Sequence, residues 1–370
     1  MLSDHGANES FGPTSKARYL SQVLPKQGQL LTDYYATGHG ELPNYLALIS
    51  GQAANPQTAA ECTTYSDFVA TSPRLDANQQ LAGGGCVYPR AAQTLPDQLA
   101  TLNMTWRGYL EDVEKGPPPA PPTCRHPPLG AADPTQAARP SDGYAARHDP
   151  FVYFHTLVDN TAGCAKNVVG LGALPGDLAR AAATPSLSVI VPNLCHDGHD
   201  TPCADGEPGG LASADAWLAQ WVPKITASPA YRKDGMLVVT FDSAPASGPT
   251  GDASACCGEK PGPTPPPAQP APAAPGSGGG RVDAVVLSPF VKAGTRNAMP
   301  YNHYSLLRTM EDLFGFGHVG FAASASVKPF GTDVFGNYRP AAGSRGAGSG
   351  AGSGSGTHPP NLGGNGSVGT

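Results

Sequence analysis

The chain has 370 residues, a formal net charge of −6, a hydrophobic fraction of 39% and a charged fraction of only 14%. A core of ordinary size fits that length, and no apolar stretch approaches the roughly 18 residues of a membrane-spanning helix. The mild acidity, without a basic cluster, argues against a nucleic-acid partner. With 47 Gly and 40 Pro, long irregular connections are expected.

Residues 17–25 read as a helix with Tyr19, Leu20 and Val23 on its apolar face, and residues 30–35 as a short strand. Pro43 to Ser50 reads as a helix: a Pro near the first turn removes no needed hydrogen bond, and Gly51 supplies the stop. Residues 95–102 read as a helix, 105–110 as a strand and 116–141 as a Pro-rich loop. Residues 187–192, 236–241 and 282–287 are continuous apolar runs of strand length, the pattern of parallel strands covered on both faces. Residues 212–225 form a helical stretch whose Trp217 and Trp221, four apart, are expected to pack in the core. A Pro/Gly/Ala-rich excursion covers 244–280, a helix 305–314, and a flexible Gly/Ser tail 341–370. The alternation of strands and helices predicts an α/β fold with a mostly parallel central sheet, one domain over residues 1–340.

The eight cysteines contain no CxxC pair and lie in loop-like segments. They read as disulfides of an exported protein, secreted or in the cell envelope. Cys62–Cys86 is expected as the most local pair, and Cys256 and Cys257 are expected to bond to two separate partners. Met1 is followed by Asp4 and His5 without a basic or apolar leader, so an exported chain with an incomplete N-terminus is expected.

In open α/β sheets, functional groups collect beyond the carboxyl ends of the strands. Asn193, His196, Asp197, His199 and Asp200 follow the first apolar run, and Asp242 follows the second. Ser288, and further on Asn302 and His303, follow the third. His39 and Glu41 follow the strand at 30–35, and Asp4 and His5 stand at the start. Carboxylates and imidazoles recurring after separate strands suit a metal-assisted hydrolase. His126, His148, His155, His318 and His358 are assigned to the surface or to packing.

The stretch Tyr34–Gly51 (YYATGHGELPNYLALISG) resembles a motif of the bacterial phosphoesterase family. Asn193–Asp200 (NLCHDGHD), Val239–Asp242, Ser254–Cys257 and Tyr301–Phe314 resemble further family motifs, in family order. The resemblance implies an alkaline-phosphatase-like fold, a central mostly parallel sheet with helices on both faces. It also implies a monomeric hydrolase of phosphate esters, acid-phosphatase-like on phosphomonoesters, with one divalent cation of the Ca, Mg or Mn class. The implied partner is a phosphorylated small molecule or a phosphoinositide. No basic amphipathic helix is evident, which favours a soluble substrate.

In that family a Glu-Asn pair follows the first strand. Its equivalent here is Ser3–Asp4, which would place the strand itself upstream of Met1, with Asn8 as an alternative register. The family's nucleophilic Ser corresponds to Glu41, and its strand-end Asp-Glu pair to Asp242–Ser243. The resemblance then implies Asp4, Glu41 and Asp242 as metal ligands. Glu41, His199 and His303 fall at catalytic positions, the two histidines meeting phosphoryl oxygens or protonating the leaving group. Asn44, Gly40 and Asp197 fall at anion-binding positions. The missing hydroxyl leaves three outcomes open: hydrolysis by a shifted mechanism, phosphate binding without turnover, or a structural protein with a vestigial cleft.

Overall fold

The computed structural model describes residues 1–118, 120–259 and 278–336. The expected tail at 341–370, His358 and residues 260–277 of the 244–280 excursion lie outside these residues. Two sheets form the centre. In the first, β5 (Trp106–Leu110) lies between β6 (Val168–Gly170) and β7 (Leu187–Val191), all parallel. The second has the order β10 (Thr295–Asn297), β1 (Gln29–Leu31), β9 (Ala284–Leu287), β8 (Leu237–Thr240). Outside these, β2 (Tyr34–Tyr35) pairs in parallel with β11 (Tyr301–Asn302), and β3 (Val69–Leu75) forms an antiparallel pair with β4 (Leu81–Gly84).

The apolar runs become strands because their β-branched side chains pack on a pleated surface. All four residues of β9 are buried, and β7 alternates buried with half-buried positions. The expected strand at 30–35 is split by a turn at residues 32–33 into β1 and β2. The longer helices are α1 (Leu42–Ser50), α2 (Leu95–Thr101), α3 (Gly210–Thr226) and α4 (His303–Phe314). α1 has Pro43 in its first turn, and Gly51 closes it at φ 67°, its N–H donating to the Ala47 carbonyl at 3.0 Å. α4 packs against α1 and α2. Trp217 is buried against Trp221 and donates through Nε1 to Glu111 at 3.0 Å, the packing role expected of this pair. No described helix is long and apolar enough to cross a membrane.

Two expectations are corrected. β9 is not parallel: it runs antiparallel to both β1 and β8. The chain leaves β8 at Asp242 and re-enters the sheet through Asp283 at the same end, because Thr240 is opposite Ala284. A connection that stays at one end of a sheet must return antiparallel. Ser288 therefore follows the far end of β9, away from Asp242. The cysteines form Cys62–Cys86 as expected, with Cys124–Cys164 and Cys195–Cys203. Cys195–Cys203, eight apart, is more local than Cys62–Cys86, and Cys256 and Cys257 bond to each other rather than to separate partners.

Met1 and Leu2 lie between β7 and β8. Leu2 donates to the Thr240 carbonyl at 2.9 Å and accepts from the Asp242 N–H at 2.8 Å, and the Met1 amino group donates to the Ile190 carbonyl at 3.2 Å. This supports Ser3–Asp4, rather than Asn8, as the register at the strand end. Asn8 is exposed and its Oδ1 accepts from Arg281 at 3.3 Å.

One buried acid sets a pH test of the fold. Glu311 in α4 is fully buried, accepts the Val319 N–H at 2.8 Å through Oε1, and has no partner at Oε2. Burial raises its pKa from 4.5 to about 8. Its contribution to stability is therefore complete below pH 4.5 and lost as pH rises through 8, since only the unfolded chain releases the proton in between. Urea unfolding of Glu311→Gln should show a shallower decline in stability over that window than the native chain.

Candidate active site

The site gathers at the carboxyl ends of β7 and β8 and at the start of α1. Ser3 fixes it from the chain's first residues. Its N–H donates to the Asp197 carbonyl at 2.9 Å, its Oγ donates to Glu41 Oε1 at 3.1 Å, and the next N–H, of Asp4, donates to Asp242 Oδ1 at 3.0 Å. Asp4, Glu41, Asp197 and Asp242 are thereby drawn into one cluster.

Glu41 is its most constrained member. It is buried at the N-terminal cap of α1, where its Oε2 accepts from Arg147 Nε and lies 2.7 Å from His148 Nε2. Burial alone would raise its pKa. His148 and Arg147 outweigh that and hold it well below the usual carboxylate range. Arg147 is in turn positioned by the Gln136 carbonyl at 2.9 Å, and the His148 ring stacks on Tyr45, one turn along α1. A bidentate Arg125–Asp142 pair, 2.8 Å in both arms, braces the same loop.

The first N–H groups of α1 are already occupied. The Glu61 carboxylate accepts from Glu41 N at 2.6 Å and Leu42 N at 3.0 Å, the place where a helix N-terminus offers an anion site. Gly40, at φ 88°, allows this approach, because a Cβ there would stand 2.4 Å from Glu61 Oε1. Burial, and then repulsion by Glu41, push the Glu61 carboxyl up to about 8.

Two oxygens in the cluster are bare. Asp242 accepts from Asp4 and Ser243 through Oδ1, but its Oδ2 is buried without a hydrogen-bond partner. Asp197 accepts the His199 N–H at 2.8 Å through Oδ1, while its Oδ2 makes no hydrogen bond and stands 3.5 Å from His148 Nδ1. Burial and the charge of Glu41 raise Asp242 well above the ordinary carboxyl range and Asp197 to about 8. Burial raises Asp4 as well. Buried carboxylate oxygens without partners are rare, and a carboxylate oxygen is the donor type that a hard cation takes. Asp4, Glu41 and Asp242 fit such an ion by donor type, but their oxygens do not all lie within 4.8 Å of one another. Among the described residues the one acid, His or Cys group meeting that spacing is Cys195, Cys203 and Asp205, whose two cysteines are disulfide-bonded.

His199 stands at the exposed rim, its Nε2 3.7 Å from Glu41 Oε1 and its Nδ1 2.9 Å from Asp200. Partial burial opposes its charge, but Glu41 and Asp200 outweigh this and raise its pKa. Four expected site residues fall elsewhere. His303 is fully buried behind the cluster, with Nε2 2.9 Å from the Asp242 carbonyl and Nδ1 3.0 Å from the Tyr34 hydroxyl, and burial lowers its pKa to about 4. It positions the Asp242 backbone and does not reach the cleft. Asn44 is fully buried and committed to the loop before α1, accepting from Thr37 N at 2.8 Å and donating to the Gly38 and Gly40 carbonyls at 2.7 Å. His39 is buried against the Ala244 carbonyl at 3.2 Å, and His5 meets the Gly198 carbonyl at 2.9 Å.

Arg147, His148 and Glu61 were not among the expected site residues, and His148 is corrected from the surface or packing to the centre of the cluster. One signal was present: adjacent Arg147 and His148 precede the apolar run Phe151–Phe154 in a chain of low charge, a place where charge is buried only if paired.

The clasp on Glu41 makes a stability prediction. Arg147→Met leaves a buried carboxylate with one imidazole partner, and a loss of about 3–5 kcal/mol is expected by urea unfolding. Adding Glu41→Gln to Arg147→Met should restore part of that loss, because the two residues share one interaction.

The model of the Phosphoesterase family matches residues 14–317. A phosphate-repressible acid phosphatase of Penicillium chrysogenum is 25% identical over 235 residues, covering 64% of this chain and 45% of that protein. A phosphatidylinositol-3-phosphatase of Mycobacterium tuberculosis is 23% identical over 314 residues, covering 85% of this chain and 74% of that protein. The chain thus spans less than half the length of the Penicillium relative. Among solved structures, a protein of the alkaline phosphatase superfamily from Vibrio parahaemolyticus aligns over 90% of this chain and 70% of its own, with a TM-score of 0.48 and 11% identity. With its family model matched across most of its length, the chain belongs to the Phosphoesterase family.

Proposed function

We propose that this protein hydrolyses phosphate monoesters at the Glu41–Asp242 cluster, with one divalent cation of the Ca, Mg or Mn class held by Asp4, Glu41 and Asp242. The observation that carries this reading is the bare, buried Oδ2 of Asp242 beside two further carboxylates at the carboxyl end of the sheet. The acid-phosphatase relatives support phosphate ester chemistry.

The cation supplies charge neutralisation for an incoming phosphoryl group. The rest is the work of this chain's own residues. Arg147 and His148 favour the ionised form of Glu41 against its burial. Both its oxygens are engaged, one by Ser3 and one by Arg147 and His148, which favours water over Glu41 as the nucleophile. His199, exposed and with its pKa raised by Glu41 and Asp200, is placed to protonate the leaving-group oxygen. Gly40 and Asn44 shape the loop, while the N–H groups of Glu41 and Leu42 receive a phosphoryl oxygen when the Glu61 side chain swings away. Asp197 lies beside the His148 imidazole, its Oδ2 3.5 Å from Nδ1.

A second reading, phosphate binding without turnover, is favoured by the same engagement of Glu41, which leaves no free nucleophile at the head of α1. One assay separates the two: p-nitrophenyl phosphate hydrolysis across Ca, Mg and Mn by the native chain, Asp242→Asn and Glu41→Ser. Metal-dependent turnover by the native chain is expected, falling about 100-fold or more in Asp242→Asn. No turnover with any cation, but turnover gained in Glu41→Ser, would establish the second reading.

A further inference from the structure

Glu61 occupies the place that the proposed reaction reserves for a phosphoryl group. One of its carboxylate oxygens takes the Glu41 N–H at 2.6 Å and the other the Leu42 N–H at 3.0 Å. A phosphate bound at a helix N-terminus uses donors of the same kind. Gly40 leaves room for this contact, since a side chain there would run into Oε1.

The backbone beneath the carboxylate is pinned. The Glu61 N–H donates to the Thr58 carbonyl at 3.0 Å, and the Glu61 carbonyl accepts from Gln136 Nε2 at 3.0 Å. Cys62 follows, its N–H donating to the Gln57 carbonyl at 2.9 Å and its sulfur bonded to Cys86. Glu61 and Cys62 are both left-handed, at φ 57° and 48°. Two such residues in succession persist only where their surroundings hold them. The side chain is therefore the part of Glu61 that is free to move.

A second seat for it is close by. Glu61 and Arg147 act on each other through their charges. Arg147 Nε is taken by Glu41 and Nη1 by the Gln136 and Thr135 carbonyls, while Nη2 makes no hydrogen bond among the described residues.

We propose that Glu61 is a resident competitor of the substrate, alternating between the head of α1 and Arg147, and that this exchange sets how weakly the site holds a phosphate monoester and the inorganic phosphate released from it. The proposal rests on the reading of the Glu41 and Leu42 N–H groups as the phosphoryl seat. Any phosphoryl group that enters has to displace a carboxylate from two backbone hydrogen bonds, so substrate and product are weakened by the same factor. A uniform weakening raises KM, leaves the chemical step alone and speeds the departure of phosphate. A residue that only capped α1 would have none of these effects.

The test titrates inorganic phosphate by calorimetry into the native chain, Glu61→Gln and Glu61→Ala, at fixed ionic strength and fixed Mg. KM and kcat for p-nitrophenyl phosphate are measured beside it. Glu61→Ala should bind phosphate about tenfold tighter, with KM lowered by the same factor and kcat equal or lower. Glu61→Gln, whose amide has a single accepting oxygen, should fall between. If circular dichroism shows Glu61→Ala unfolded, Glu61→Gln decides alone, with about threefold tightening expected. Where no chain turns over, the hydrolytic reading fails by itself, and titration of p-nitrophenyl phosphate replaces KM in testing Glu61. Unchanged or weaker phosphate binding in the folded variants would overturn the proposal. Tighter phosphate with an unchanged affinity for p-nitrophenyl phosphate would also overturn it, because the phosphate would then sit apart from the substrate.

Discussion

The placement of one carboxylate, Glu41, governs the rest of the site. An ionised carboxyl cannot be buried alone, since the desolvation cost exceeds the stability of a whole domain. Glu41 is buried at the head of α1 because Arg147 and His148 are brought to it from 106 and 107 residues away. The loop that carries them is held by the Arg125–Asp142 pair and by the Ala146 N–H donating to Thr135 Oγ1 at 2.8 Å. Tyr45 covers the imidazole, and Ser3 takes the remaining oxygen. Segments far apart in the chain therefore depend on a single charge for their mutual position.

Around that charge the site is short of cations. Arg147 and His148 are engaged by Glu41; the charges of His199 and Arg147 offset only part of the burial and repulsion that raise Asp4, Asp197 and Glu61, and Asp242 has only hydrogen bonds to oppose them. Two responses are available to such a cluster, protonation or capture of a positive ion. The raised pKa values describe the first response, and the bare oxygens of Asp197 and Asp242 leave room for the second. The helix N-terminus, the one fixed positive feature left, is capped by Glu61 in a left-handed conformation at φ 57°, next to the Cys62–Cys86 disulfide. An arriving anion competes there with a carboxylate already in place.

Much of the fold was legible in the sequence, for identifiable reasons. The runs at 187–192, 236–241 and 282–287 carry enough β-branched residues to read as buried strands, and Gly51 marks a helix end at a position that needs positive φ. The direction of the third run was not legible, because hydrophobic periodicity records burial and not the polarity of the neighbouring strand. Asp197 and Asp242 could be placed at the site because strand ends converge on one edge of an open sheet. The family resemblance put His303 at a catalytic and Asn44 at an anion-binding position, yet the same donors and acceptors that bind phosphate also tie loops together, and here both are used internally. Arg147 and His148 stand beside an apolar run, but their partner Glu41 lies more than a hundred residues away and that of Glu61 about twenty, distances at which pairing leaves no local pattern.

The reversal of β9 has a consequence for how this protein tolerates change. Residues 241–283 leave the sheet and return to it at the same end, between hydrogen-bonded neighbours that fix both departure and return. Lengthening such a connection costs little, about 0.6 kcal/mol for each doubling of a flexible loop, and moves no strand out of register. A connection anchored in this way can gain or lose residues while Asp242, at its start, stays in register with the rest of the carboxylate cluster.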